Sequence, residues 1–291
     1  MARATSKSSD KRQATTTSNQ PATSNSHCPV PELPEVEYAA AVARRVAVGR
    51  TITSVILRHP SQRRGLPSRA ARSLVGDRVV AVERRGKSQR FRLLSGRELR
   101  VHFRMTGDWL VPGPGSLPKT VRAVLTFDDG SRLALDDPRA LSVLSLCVRP
   151  GGDDKLGRDA MDLTLTPRRL ADSLASRRIG IKVALLDQSI VAGIGNIYAS
   201  EALWRARIDP RTPANRLSLA QLGKLLRAVR TTLRAAIERQ ARYYAAGDDQ
   251  DNGERFAVYD REGEPCRRCR SPVRRITQAQ RSTYFCATCQ S

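Results

Sequence analysis

Apolar positions recur at two different periods along this chain. Between residues 51 and 135 they alternate, which predicts strands at 51–57, 78–83, 90–94, 99–105 and 121–135, the last turned back on itself at Asp128-Asp129-Gly130. In Leu99-Arg100-Val101-His102-Phe103-Arg104-Met105 one face is apolar and the other cationic, so the strands are expected to build a β-sandwich with one solvated, positively charged face. Beyond residue 155 the period becomes 3.6. Leu222, Leu225, Leu226, Val229, Leu233 and Ile237 form a helical stripe behind a Ser218-x-x-Gln221 capping box, and that stripe reads as core. Thr166 and Pro167 open an earlier helix, and Gly180 is expected to close it. Ahead of the strands a further helix starts just after Pro31-Glu32: Pro34 suits its first turn, Glu35 and Glu37 its positive end, and Gly49 its stop.

The punctuation divides the fold. Residues 1–29 carry eleven Ser or Thr, hardly an aliphatic side chain beyond Ala and a net charge of +3, too little apolar surface to fold. Pro150-Gly151-Gly152-Asp153-Asp154 reads as a linker and residues 241–255 as a loop. The expected organisation is α+β and multidomain: a tail at 1–30, a β-sandwich with a flanking helix at 31–150, a helical domain at 151–245 and a cysteine-bearing module at 255–291. Apolar runs fall far short of the roughly 18 residues of a membrane helix.

Charge then narrows the partner. Lys and Arg number 51 against 28 Asp and Glu, a formal charge of +23, well beyond the roughly 2 to 8 usual for a small domain. Only seven of the cations are Lys, and Arg is the side chain whose planar fork suits phosphates and guanine edges. A nucleic-acid partner is the leading expectation, with a basic surface that serves only solubility as the alternative. Four of the six cysteines crowd into the C-terminal module, where Cys266-x2-Cys269 and Cys286-x2-Cys289 give the two tight knuckles that hold one tetrahedral zinc. Two disulfides fit less well in so cysteine-poor a chain, and Cys28 and Cys147 read as incidental. The module also carries Arg267, Arg268, Arg270, Arg274, Arg275 and Arg281.

Within the helical half, Gly193-Ile194-Gly195-Asn196 leads into a helix start whose N–H groups at residues 196–198 could bind an anion. The residues alone leave two readings open, phosphate binding and an ordinary helix corner with a packing glycine.

Further motifs fall in one order: Pro31-Glu32-Leu33-Pro34-Glu35-Val36-Glu37, Arg84-Arg85-Gly86-Lys87, His102-x-x-Met105-x-Gly107, Asp137-Pro138-Arg139, the stretch 187–201 and the paired CxxC knuckles. Through them the chain resembles the bacterial formamidopyrimidine-DNA glycosylases over residues 31–290, and its first motif resembles the oxidised-purine branch rather than the endonuclease-VIII-type branch, which typically has Gly at the position of Leu33. The resemblance implies a β-sandwich, a helix-two-turn-helix domain and a C-terminal zinc-finger hairpin. It also implies a cytoplasmic, nucleoid-associated bacterial repair enzyme, monomeric, acting on double-stranded damaged DNA.

It further implies residue roles. Pro31 takes the nucleophile's position, its amine attacking the sugar C1′; Glu32 matches the general acid at the ring oxygen, and Glu35 a supporting carboxylate. For Glu35 and Glu37 a plain helix-dipole role stands beside the catalytic one. Lys87 and Lys182 match phosphate-holding lysines, Asn196 a phosphate-clasping residue, and Arg281 the zinc-hairpin arginine. A base taken out of the stack leaves a hole. Met105, Arg139 and Leu141 match the family's three filling residues, with Leu141 where Phe is usual; taken alone, Met105 reads as core. In residues 239–256 the family's lesion-capping loop has no match.

A peptide-bonded proline nitrogen is an amide and cannot attack a sugar. Val30 precedes Pro31, and a GTG codon is read as Met at initiation and Val elsewhere, so translation is expected to start at Val30, with 1–29 an over-called upstream stretch. The expected activity is removal of 8-oxoguanine and formamidopyrimidines with abasic-site lyase activity by β/δ-elimination. Two alternatives are a non-catalytic zinc-ribbon protein that binds damaged DNA with a blocked N-terminus, and a glycosylase acting mainly on oxidised pyrimidines.

Overall fold

The computed structural model describes residues 30–113, 115–148, 155–246 and 256–291. The tail at 1–29, the linker 150–154 and positions 247–255 of the expected loop lie outside the described residues. Helix α1 (Leu33–Ala47) begins where the Pro-Glu pattern places it, and Glu35 Oε2 accepts the Glu32 N–H at 3.0 Å across its first turn. Its stripe of Val36, Ala39, Ala40 and Ala43 joins the sandwich core, while Leu33 joins the core of the helical half. One helix therefore belongs to both.

The strands β1 (Ile52–Leu57), β2 (Val79–Arg85), β3 (Ser88–Leu93), β4 (Glu98–His102), β5 (Asp108–Leu110), β6 (Val121–Phe127), β7 (Arg132–Asp136) and β8 (Val143–Cys147) form two antiparallel sheets, ordered β1-β6-β7-β5 and β2-β3-β4-β8. Short helices α2 (Pro60–Arg63) and α3 (Ser68–Arg72) link β1 to β2. Between the sheets Trp109 meets Phe91 and Phe103 edge to face at 5.8 and 6.0 Å and donates to Gln89 Oε1 at 2.7 Å. Two expectations fail here. The strand expected at 99–105 stops at His102, because Arg104 turns to φ +63° and Gly107 N–H closes on the Phe103 carbonyl at 3.2 Å. Nor is the polar face bare of acids: Arg100 pairs with the buried Glu98 at 2.5 Å and Arg92 with Glu83 at 3.3 Å.

The helical half holds a two-residue parallel ribbon, β9 (Arg158–Asp159) with β10 (Val191–Ala192), and helices α4 (Pro167–Leu174), α5 (Ile181–Leu186), α6 (Asn196–Ala206) and α7 (Leu219–Ala246). Thr166 Oγ1 caps α4 by accepting the Arg169 N–H, and Ser218 and Gln221 exchange the two hydrogen bonds of a capping box before α7. Gly180 does not close α4, which ends at Leu174. The chain between is pulled straight by the Ala214 and Asn215 N–H groups, which bond the Ile179 and Arg177 carbonyls, and Gly180 instead precedes α5. The loop expected from residue 241 begins later, since α7 runs to Ala246.

The C-terminal module is a hairpin of β11 (Arg274–Gln278) and β12 (Arg281–Phe285). Glu201 of α6 ties its leading segment down, its carboxylate accepting the Ala257, Val258 and Tyr259 N–H groups at 2.9 Å each. Among the described residues no helix is long and apolar enough to cross a membrane.

Candidate active site

The site forms where α1, the β2–β3 turn, α6 and β12 meet. Glu32 lies just ahead of α1 and is 2% exposed; its carboxylate accepts the Ile197 N–H at 2.9 Å and the Tyr198 N–H at 3.4 Å, the free donors of the first turn of α6. The anion at this helix start is thus the protein's own carboxylate rather than a phosphate. Gly195 makes the approach possible, because a Cβ there would sit 2.2 to 2.6 Å from the Glu32 carboxylate. Burial pushes the Glu32 carboxyl up to about 7, against the pull of Lys87 and the two N–H donors.

Glu35 is buried beside it and accepts the Tyr198 hydroxyl at 2.5 Å. It is more than a dipole partner, since its two oxygens bond the Glu32 N–H and Tyr198. Pro31, which precedes Glu32, is buried. Lys87 sits in the two-residue turn between β2 and β3; burial holds its amine below the ordinary lysine range, while Glu32 and then Glu35 pull the other way and Arg281 adds to the lowering.

Lys182 is fully buried, and burial, then Arg281, brings its amine down to about 8. Its Nζ donates to Asn196 Oδ1 and, at 3.1 Å, to the Ser282 carbonyl on β12; Asn196 Nδ2 bonds the same carbonyl at 3.1 Å. These two predicted phosphate ligands therefore join α5 and α6 to the hairpin, with Arg281 exposed next door.

The three predicted filling residues stand on two turns. Met105 is 37% and Leu141 43% exposed, and Arg139 is exposed between them in sequence. The exposure of Met105 rules out the core reading. Asp137 ties the turns together, accepting Thr106 Oγ1 at 2.5 Å, Arg139 N–H at 3.2 Å and Ser142 N–H at 2.7 Å. Burial opposes its charge, but these bonds hold the carboxyl below the usual range. His102 at the end of β4 accepts the Arg104 N–H on Nδ1 at 3.0 Å, and burial, then Arg104 and Lys87, hold it down to about 4, so it is neutral.

The Sγ atoms of Cys266, Cys269, Cys286 and Cys289 lie within 4.8 Å of one another, and those of Cys269 and Cys286 are 3.4 Å apart. Thiolates at Zn–S of about 2.3 Å stand roughly 3.8 Å apart around a tetrahedral ion, so the four fit one structural zinc. Trp204 Nε1–H donates to the Cys266 sulfur at 3.4 Å and Arg268 covers the indole at 4.3 Å, which seats the knuckle on α6.

Sequence reasoning missed Tyr198, Glu201 and the tying role of Asp137. Tyr198 and Glu201 lie inside the glycine-led stretch already singled out, but their partners are 163 and 56 or more residues away along the chain.

The described domains match known ones. Residues 30–144 match the formamidopyrimidine-DNA glycosylase N-terminal domain, residues 156–246 the H2TH domain of the same proteins, and residues 263–291 a zinc finger found in FPG and IleRS. The formamidopyrimidine-DNA glycosylase of Chloroflexus aurantiacus is 42% identical over 271 residues, covering 90% of this chain and 98% of the relative; that of Paraburkholderia phymatum is 39% identical over 277, covering 90% and 100%. Among solved structures, the MutM (FPG) protein of Thermus thermophilus superposes with a TM-score of 0.76 at 34% identity, covering 89% of this chain and 98% of that one. The Lactococcus lactis protein in complex with a FAPY-dG containing DNA gives 0.77 at 27%, covering 89% and 99%. A sandwich, an H2TH domain and a zinc finger in this order define a DNA glycosylase built on three domains. The chain belongs to the formamidopyrimidine-DNA glycosylase family.

Proposed function

We propose that this chain excises oxidised purines, 8-oxoguanine and formamidopyrimidines, from duplex DNA and then cleaves the strand at the abasic site, with Pro31 as nucleophile. The observation that carries it is the placement of Glu32, next to Pro31 in the chain, in a dry socket at the start of α6 with Lys87 facing it.

The Pro31 amine, when free, titrates near 8 and is partly neutral at physiological pH. Its lone pair attacks C1′ as the glycosidic bond breaks; the base leaves with that bond's electron pair and takes up the proton that the amine sheds. Glu32, kept protonated by burial up to about pH 7, gives its proton to the sugar ring oxygen as the ring opens. The carboxylate it becomes is held by the Ile197 and Tyr198 N–H groups and by Lys87. Being secondary, the proline nitrogen leaves a positively charged iminium, the electron sink for loss of the 3′ and then the 5′ phosphate. Met105, Arg139 and Leu141 fill the vacated stack, and Lys87, Asn196 and Arg281 line the phosphate path, with Lys182 bracing Asn196 from behind. The zinc acts only in shaping the hairpin. The enzyme works as a monomer on nucleoid DNA in the bacterial cytoplasm, and its functional units are those bounded at 31–150, 151–245 and 255–291.

This chemistry requires a free amine at Pro31. Borohydride trapping on 8-oxoguanine duplex, paired with intact-mass measurement of the trapped species, tests both points. A covalent adduct on a chain that begins at Pro31 is expected. Failure to trap even abasic DNA would favour a non-catalytic damaged-DNA binder, and trapping on oxidised pyrimidines alone a different lesion preference.

A further inference from the structure

The turn that carries Lys87 is not held by its own hairpin alone. Asp159, on β9 of the helical half, is 9% exposed and accepts four hydrogen bonds: from the Gly86 N–H at 2.9 Å and Arg84 Nη1 at 2.5 Å on one oxygen, and from Arg84 Nη2 at 3.1 Å and the Met161 N–H at 3.0 Å on the other. Arg84 also reaches Glu37 of α1 at 2.7 Å, and Arg85 donates to the Gly157 carbonyl at 2.8 Å. From the other side β10 closes on the turn. Gly86 has φ +59°, and a Cβ on it would lie 3.2 Å from Ala192 Cβ. The same ribbon runs on to Gly193, whose carbonyl accepts the Leu33 N–H at 3.2 Å, next to Glu32.

We infer that Asp159 is a positioning residue for Lys87, the β9–β10 ribbon acting as the gauge that fixes the Lys87 amine relative to Glu32. Two features favour this over a purely structural ion pair. A buried pair is a weak source of net stability, so stability gives little reason to place one here. And the carboxylate binds the main chain of the residue directly before Lys87, where a shift of about an ångström at the reacting groups is enough to cost on the order of a hundredfold in rate.

The inference rests on the reading that Lys87 takes part in the reaction, and its test separates the two. The chain has seven lysines, few enough to resolve by NMR after reductive 13C-methylation of the zinc-loaded protein. Asp159→Asn is expected to move the Lys87 signal and raise its titration midpoint, because the displaced amine meets more water, while Lys119 and Lys224 stay put. Arg84→Lys, which keeps the charge but loses the fork, gives the same direction in milder form and serves if Asp159→Asn does not fold. In single-turnover cleavage of abasic duplex, Asp159→Asn is expected to slow the rate about ten- to hundredfold, with affinity for a non-cleavable abasic duplex changed less than about threefold. Combined with Lys87→Met, it should add less than about threefold to the loss from Lys87→Met alone. An unmoved Lys87 signal in both variants, or full multiplication of the two rate losses, overturns the inference alone. A Lys87→Met variant with unaltered cleavage overturns the reading of Lys87 and the inference with it.

Discussion

Glu32 carries two consequences at the scale of one residue. Its folded-state value of about 7 lies above the ordinary 4.5, so the folded protein holds this proton more tightly than the unfolded chain. The associated stability is fully present below about pH 4.5 and is lost as pH rises through 7; the shift corresponds to about 3 kcal/mol. Chemical denaturation at pH 5 and pH 8 should show that decrement as the difference between wild type and Glu32→Gln, because His102, held down to about 4, contributes with the opposite sign over this range in both proteins and cancels in the comparison. The same substitution should lower base excision by at least about a hundredfold, and in the wild type kcat/KM should fall on the alkaline side of pH 7. Leu141 makes the second case. It is exposed on the turn that Asp137 ties down, where a longer flat ring meets no buried wall. Leu141→Phe should tighten binding to abasic duplex by about 1 kcal/mol through base stacking, read as a fivefold lower Kd. These residues were legible as positions, through the motifs around them. What they touch was not: Glu32 meets its N–H donors 165 and 166 residues further on, and no local pattern encodes that meeting.

Among the elements, period carried the reading a long way. Most of the alternating strands, the helix after Pro31-Glu32 and the capping box at Ser218 lie where patterning put them, although the strand expected at 99–105 stops at His102. β5 and β8 were missed because three residues at Asp108–Leu110 are too few to show a period, and Val143–Cys147 alternates with Ser rather than charge. Gly180 misled because a glycine near a helix end serves equally before the next helix, and only the long-range pairing of residues 177–179 decides between them. The zinc site was legible from the thiol spacing, since four thiols so placed have few other uses, while the hairpin that carries two of them came only through the family resemblance. Cys286→Ser should therefore release zinc and weaken DNA binding about tenfold or more, while the sandwich, whose core shares no residue with the hairpin, keeps its fold. Zinc content, a binding isotherm and hydrogen exchange across 51–147 check the three parts.

Across the whole molecule, the cations behind the formal +23 are not all loose surface charge. Arg84 lies largely covered between two carboxylates, Lys182 is buried between an amide and a carbonyl, and Arg100 is half-buried against Glu98. Composition could announce a polyanionic partner but not that some of the cations would be girders. Lys182 and Asn196 show what such a girder does, because both close on one carbonyl, Ser282, in the strand that ends just before Cys286. The metal knuckle and the proposed phosphate path thus share one strand. By thermodynamic reciprocity, whatever the metal contributes to gripping DNA, DNA must return to gripping the metal. Abasic duplex should accordingly raise the chelator concentration needed to remove half the zinc at equilibrium, undamaged duplex should raise it less, and Asn196→Ala should erase the difference.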